Sequence, residues 1–161
     1  MNWVVSPMVH RHIETTARTV SPPSTEANLR PKKVVIVDDE KSFTELLAQI
    51  LNDNMTCPVE SYNRPADALK AIQSGEIGVL VTDYYMPVMN GIELIRNLQT
   101  EFPGIPAILI TGHSLRFGQE EMKRLPALKS VLAKPFGWRK LADLLIQHWP
   151  DANPPKLKEP S

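Results

Sequence analysis

At 161 residues, 42% of them hydrophobic, the chain suits one domain with a real core, and we expect no second domain of useful size. Eighteen basic residues balance 18 acidic ones, which disfavours proteins that bind nucleic acids or anionic membranes through net positive charge. The single cysteine, Cys57, excludes an internal disulfide and a cysteine-cluster zinc site, and we expect it to lie in the core.

The two ends of the chain are predicted to be flexible. Residues 1–31 are rich in Ser and Thr and show no sustained hydrophobic period, which predicts a flexible N-terminal extension. The folded domain is expected at residues 32–149, followed by a flexible, proline-rich C-terminal tail at residues 150–161. Because no stretch has the apolar length of a membrane span or a signal peptide, we expect a cytoplasmic protein without a membrane partner.

The first half of the predicted domain contains two strands and two helices. The apolar run at residues 34–37 is typical of a strand buried on both faces, and it ends in two aspartates. Residues 42–45 have the form of a capping box, and the apolar residues after it recur at helical spacing. A weaker edge strand is predicted at residues 57–60, and an alanine-rich helix at about residues 65–73.

The third predicted strand, at residues 79–82, delivers Asp83 to its carboxyl end. In an open α/β sheet the carboxyl ends of the strands form the crevice in which ligands bind, so this position favours chemistry. A carboxylate that caps a turn is the alternative interpretation. Asn90 and Glu93 have the spacing of a helix cap, which predicts a third helix.

Two further strands, at residues 107–110 and 130–133, are predicted to end at Thr111 and Lys134. A short helix at residues 119–125 lies between them, and a last helix follows the fifth strand. Strands and helices that alternate in this way predict parallel pairing with right-handed crossovers. The predicted fold class is therefore α/β, a doubly wound five-stranded parallel sheet with helices on both faces.

Polar side chains end four of the five predicted strands, and parallel pairing brings those ends to one edge of the sheet. Each residue alone also fits a helix cap, a turn or an ordinary strand exit. Their ordered set resembles the receiver domain of bacterial two-component response regulators over about residues 33–148. The resemblance implies a flavodoxin-like strand order, 2-1-3-4-5. It rests on residues 34–40, Val81-Thr82-Asp83, Met86-Pro87, Asn90-Gly91, Ile110-Thr111-Gly112 and Ala133-Lys134-Pro135-Phe136.

The resemblance implies a signalling switch that accepts a phosphoryl group, with no activity on a separate substrate. Asp83 would be the nucleophile, because a carboxylate can attack phosphorus to form an aspartyl phosphate. Thr111 would donate a hydrogen bond to a phosphoryl oxygen, and Lys134 would pair with Asp83 before the transfer and with the phosphoryl group after it. The family also implies a cis peptide bond between Lys134 and Pro135.

A divalent cation is expected as the cofactor. Clustered carboxylates repel one another unless a cation lies among them, and Mg²⁺ or Mn²⁺ prefers oxygen ligands. The resemblance implies that Asp39 and Asp83 ligate the metal directly, that the backbone carbonyl of Tyr85 adds a third contact, and that Asp38 acts through water. Tyr85 and His113 would flank the water that hydrolyses the aspartyl phosphate, so we predict that their bulk tunes its lifetime.

Val131 departs from the family pattern, since many receiver domains have Tyr or Phe three residues before the lysine of the fifth strand. The aromatic half of the conformational relay is therefore absent, and only the half that runs through Thr111 remains. The expected partners are a sensor histidine kinase or phosphotransfer protein and an unidentified effector protein, with no direct nucleic-acid contact. We expect a monomer or a weak homodimer.

Three alternative functions remain at this point. The domain could be a pseudo-receiver that binds a partner without phosphorylation, or a receiver fragment of a larger regulator or hybrid kinase. A phosphohydrolase of the haloacid dehalogenase type also uses an aspartyl nucleophile and Mg²⁺. Such enzymes place it in an Asp-x-Asp motif after the first strand, where this chain has the adjacent Asp38 and Asp39, so the third alternative is disfavoured.

Overall fold

A parallel five-stranded sheet forms the centre of the computed structural model, which describes residues 31–112, 120 and 123–159. Its strand order, β2-β1-β3-β4-β5, confirms the predicted doubly wound topology. The strands are β1 (Lys33–Val37), β2 (Val59–Tyr62), β3 (Ile77–Asp83), β4 (Ala107–Thr111) and β5 (Leu128–Ala133).

Within the same residues the chain forms the helices α1 (Lys41–Asn54), α2 (Pro65–Gln73), α3 (Gly91–Glu101) and α4 (Trp138–Gln147). The N-terminus of α3 confirms the predicted cap, because the Asn90 side chain accepts from the Glu93 amide and the Glu93 side chain accepts from the Asn90 amide. Most of the helix predicted at residues 119–125 and all of residues 1–30 lie outside the described part of the chain.

The capping box predicted at residues 42–45 is wrong. Helix α1 begins at Lys41 after the N-cap residue Glu40, whose side chain makes no capping hydrogen bond. The two residues that would form the box, Ser42 and Glu45, therefore lie inside the helix, past its N-cap position. Between them the buried Thr44 hydroxyl donates to the carbonyl oxygen of Glu40 at 2.8 Å. Strand β2 also begins later than predicted, at Val59, since Pro58 has no N–H to contribute to the sheet.

Apolar cores on the two faces of the sheet hold the helices in place. All seven residues of β3 are buried, and the side chains of Val79, Leu80 and Val81 alternate between the cores. One core packs α1 and α4 against the sheet and includes Cys57, as predicted; the other packs α2 and α3. This burial fixes the central strand, and therefore Asp83, relative to both layers of helices.

The C-terminal segment (residues 151–158) lies against the domain, where a flexible tail was predicted. Leu157 pairs with Met55 in an antiparallel bridge and packs on the core beneath α1. The Lys158 amide donates to the carbonyl oxygen of Asn54 at 2.7 Å, and Lys32 forms an ion pair with Asp151 at 2.9 Å. Apolar burial of one leucine and these backbone hydrogen bonds are interactions that composition alone did not reveal.

No helix in the described part of the chain combines the length and the apolar character that a membrane crossing requires.

Candidate functional site

The carboxyl edge of the sheet gathers the polar residues that the sequence places at strand ends. Asp38 follows β1, Asp83 and Thr111 are the last residues of β3 and β4, and Lys134 follows β5. Asp38, Asp83 and Thr111 are respectively 2%, 7% and 2% exposed, so three polar side chains lie nearly buried at one edge. Burial of this kind is costly unless the groups are paired, and their pairing defines the site.

Lys134 joins the two buried carboxylates. Its Nζ donates to Oδ2 of Asp38 at 2.7 Å and lies 3.0 Å from Oδ1 of Asp83. Burial by itself would lower the pKa of Lys134, but the hydrogen bonds to both carboxylates and their charges outweigh it and raise the pKa above its ordinary value. The ammonium group therefore stays charged at neutral pH and balances part of the negative charge around it.

Asp83 is held at both carboxylate oxygens. Oδ2 accepts a hydrogen bond from the Tyr85 amide at 2.8 Å, while Oδ1 faces Lys134. Burial raises the pKa of Asp83; the hydrogen bond and charge of Lys134 oppose that shift, and the charge of Asp38 adds to it, with a net increase. The carboxylate thus has a fixed orientation, and Lys134 is its cationic partner within the described part of the chain.

The loop after β1 is fixed by two residues that the sequence did not single out. Asp38 accepts a hydrogen bond from the Glu40 amide through Oδ1 at 2.8 Å. Its carbonyl oxygen accepts from the hydroxyl of Thr44 and from Nδ2 of Asn63, each at 3.1 Å. The sequence could have indicated Thr44, because it is a polar residue on the apolar side of α1. Nothing in the sequence distinguishes Asn63.

Asp39 does not join the contact between Lys134 and the other two aspartates, and its side chain is exposed on the loop before α1. Among the described residues, no three His, Cys, Asp or Glu side chains are grouped closely enough to hold a metal ion. The backbone amide of Tyr85 contacts Asp83. The residue is 53% exposed, and its ring meets that of Tyr84 edge-on, with the ring centroids 4.6 Å apart. His113 lies outside the described residues.

The loop between β3 and α3 approaches Asp83 closely. A Cβ atom on Gly91 would lie 2.2 Å from the carbonyl oxygen of Asp83, so this position requires glycine. In the same loop Val88 is fully exposed and has a φ of 72°, an unusual and strained conformation for a β-branched residue. Across the sheet the Lys134-Pro135 bond is cis, as the resemblance implied, and Val131 is 38% exposed on the edge strand.

Comparison with known proteins identifies relatives of the chain over most of the described domain. A family model described as the response regulator receiver domain matches residues 34–146. The transcriptional regulatory protein FixJ of Rhizobium meliloti (strain 1021) is 42% identical over 104 residues, which are 64% of this chain and 50% of that protein. The chain spans half or less of the length of the curated relatives that it matches.

Solved structures show the same fold. The crystal structure of FixJ-N superposes with a TM-score of 0.64 at 32% identity, over 78% of this chain and 98% of that one. The response regulator protein TrrA of Thermotoga maritima, solved in complex with Mg²⁺ and BeF, superposes with a TM-score of 0.61 at 23% identity, over 72% of this chain and 97% of that one.

Proposed function

The chain belongs to the response regulator receiver domain family, and from that membership we propose that Asp83 accepts a phosphoryl group from the phosphohistidine of a kinase or a phosphotransfer protein. The observation that carries this proposal is the position of Asp83, a buried carboxylate at the carboxyl edge of the sheet that is bound by Lys134 and by the Tyr85 amide. Such a fixed carboxylate is a suitable nucleophile for transfer by an in-line attack.

In the proposed reaction a carboxylate oxygen of Asp83 forms a bond to phosphorus while the bond from phosphorus to the donor imidazole nitrogen breaks. The electron pair of that bond stays on the imidazole, and the product is an aspartyl phosphate. Lys134 stays charged throughout, and its ammonium group would pair with a phosphoryl oxygen in the product. The hydroxyl of Thr111, at the end of the neighbouring strand, would donate to another.

We propose that Mg²⁺ or Mn²⁺ binds among Asp38, Asp39, Asp83 and the backbone carbonyl of Tyr85. The exposed Asp39 side chain would have to turn toward the two buried carboxylates on binding, since the three are not grouped closely enough in the structure to hold an ion. The chemistry of the donors fits, since they are hard oxygen ligands and, among the residues that the structure describes, the two buried carboxylates share the one ammonium group of Lys134. The bound ion would neutralise charge on the phosphoryl oxygens. The Mg²⁺ complex of TrrA supports the same choice of ion.

The consequence of phosphorylation would be a change in affinity for a partner protein. Because relatives are at least twice as long as the matched region, the effector could be a further domain in some of them or a separate protein. We propose a cytoplasmic switch whose donor is a sensor histidine kinase or phosphotransfer protein. With Val131 in place of an aromatic residue, the conformational relay would depend on Thr111.

The proposal is tested by intact-mass spectrometry after incubation with Mg²⁺ and acetyl phosphate. We expect one added phosphate on the wild-type chain, none on Asp83→Asn, and one on Asp53→Asn, a matched change at an exposed aspartate of α1. Chelation of the metal with EDTA should prevent the gain in mass. An unmodified wild-type chain, in a reaction that modifies another receiver domain, would support the pseudo-receiver and contradict the proposal.

A further inference from the structure

Phe43, the third residue of α1, presents its ring to the ammonium group of Lys134. The distance from Nζ to the ring centroid is 4.4 Å, which is within the range of a cation–π interaction. We propose that Phe43 is a positioning residue that holds the Lys134 ammonium in the site during phosphoryl transfer. The inference rests on the proposed function of Asp83 and adds a residue to that site which neither the strand-end pattern nor the resemblance includes.

The ring of Phe43 is itself held in place. Phe136, two residues after Lys134, meets it edge-on, with the ring centroids 6.2 Å apart and the ring planes at 88°. Both phenylalanines are half-buried and pack on the core between the sheet and α1. Phe136 lies two residues after Lys134 on the same loop, so its packing on Phe43 fixes the backbone near the lysine. The ring of Phe43 contacts the charged end of the same lysine.

A contact to an aromatic face suits a lysine whose anionic partners change. In the structure Nζ is bound to Asp38 at 2.7 Å and to Asp83 at 3.0 Å. Phosphorylation of Asp83 would move negative charge onto the phosphoryl oxygens, so at least one of these pairs must rearrange. The attraction of the ring for the ammonium depends on no particular oxygen, and it therefore persists before and after transfer.

The alternative position for the ammonium is solvent. The Lys134 side chain is 24% exposed, and its four-carbon stem allows many rotamers that withdraw the charge from the carboxylates. The ring of Phe43 restricts those rotamers. Loss of the ring should therefore slow phosphorylation without preventing it, since the pairs with Asp38 and Asp83 remain.

The test compares the rate of phosphorylation by acetyl phosphate in four variants. Phe43→Leu and Phe43→Met keep apolar bulk but remove the ring, and we expect each to react about three- to tenfold more slowly than wild type. Phe43→Tyr keeps the aromatic face and should restore the rate to within about twofold. Phe102→Leu, which removes a half-buried ring from the opposite core, should leave the rate unchanged.

A spectroscopic measurement tests the contact separately from activity. Protons of the Lys134 ε-methylene group near the ring face should be shifted upfield in wild type and in Phe43→Tyr, and should return to ordinary positions in Phe43→Leu. The signal is assigned by its disappearance in Lys134→Arg. This ring-current shift does not depend on phosphorylation, and a purely structural loss of apolar bulk would not produce it.

The outcomes separate the two proposals. If the wild type is phosphorylated and Phe43→Leu and Phe43→Met both react at the wild-type rate, the role of Phe43 is overturned and that of Asp83 stays intact. A wild type that never gains phosphate overturns the proposed function and this inference with it. An absent upfield shift would also overturn the inference, whatever the rates. Slow ring-lacking variants, rescue by tyrosine and the upfield shift together would establish it.

Discussion

Gly91 and Asp83 are in backbone contact, since a Cβ atom on Gly91 would lie 2.2 Å from the carbonyl oxygen of Asp83. Asp83 is the last residue of the central strand, so its carbonyl oxygen cannot move away without a shift of the proposed phosphoryl acceptor itself. We predict that Gly91→Ala lowers the free energy of unfolding by about 1 to 3 kcal/mol and slows phosphorylation of Asp83. Urea unfolding measures the first effect. Gly137→Ala is the control, because nothing lies within 4 Å of its added Cβ atom.

Thr44→Val should destabilise the loop that carries Asp38. The buried Thr44 hydroxyl donates to the carbonyl oxygens of Asp38 and Glu40, and valine has a similar shape but no donor. We expect a loss of about 1 to 2 kcal/mol in the free energy of unfolding. Thr100→Val removes a similar hydrogen bond, to Arg96 at 2.9 Å, from an exposed position and should cost about 0.5 kcal/mol or less. Equal losses in the two variants would contradict the prediction.

His148 should titrate below its ordinary range. Burial, followed by the positive charge of Lys129, lowers the pKa of His148 below its ordinary value of 6.5. The stability that neutral His148 contributes is therefore fully present above pH 6.5 and is lost as the pH falls from 6.5 to the lower folded-state pKa. An NMR titration of the imidazole, assigned with His148→Asn, gives the pKa directly.

His148 is also hydrogen-bonded to Ser130, whose Oγ lies 2.8 Å from Nε2, so replacement of His148 removes this contact together with the titrating group. Unfolding of wild type and of His148→Asn at about pH 7.5 and about pH 5.5 should show a smaller pH effect in the variant. If the NMR titration of wild-type His148 has its midpoint at or above pH 6.5, the prediction is contradicted.

The C-terminal segment should contribute to global stability. Leu157 packs on the core beneath α1, so Leu157→Ala should lower the free energy of unfolding by about 1 to 2 kcal/mol, less than for a fully buried leucine. Glu159→Ala, at an exposed position two residues later, should have no measurable effect. If both variants unfold at the same urea concentration as wild type, the packing of Leu157 contributes little.

The sequence was informative where local pattern and burial agree. The run before Asp83 was recognisable because a strand covered on both faces must be apolar throughout, and the cap of α3 because Asn90 and Glu93 satisfy each other locally. The fold class and the grouping of Asp38, Asp83 and Lys134 at one edge follow from parallel pairing of such strands.

The sequence was uninformative where the partner is distant in the chain. The bridge from Met55 to Leu157, the cation–π contact from Phe43 to Lys134 and the hydrogen bond from Asn63 to Asp38 each join separate elements. No local period encodes such pairs. The start of α1 was misplaced for a different reason, since Ser42 and Glu45 have the spacing of a capping box but lie inside a helix whose N-cap residue, Glu40, makes no side-chain capping hydrogen bond.

The ion pair between Lys32 and Asp151 has a practical consequence for experiments on this protein. Lys32 directly precedes β1, so the pair lies at the amino edge of the parallel sheet, and Asp83 lies at the carboxyl edge. The backbone of Lys158 is hydrogen-bonded to the C-terminal end of α1, on the same side as that pair. A fluorophore, an affinity tag or a surface linker attached after Glu159 would therefore leave from the side away from the acceptor, with the carboxyl edge exposed to incoming donors.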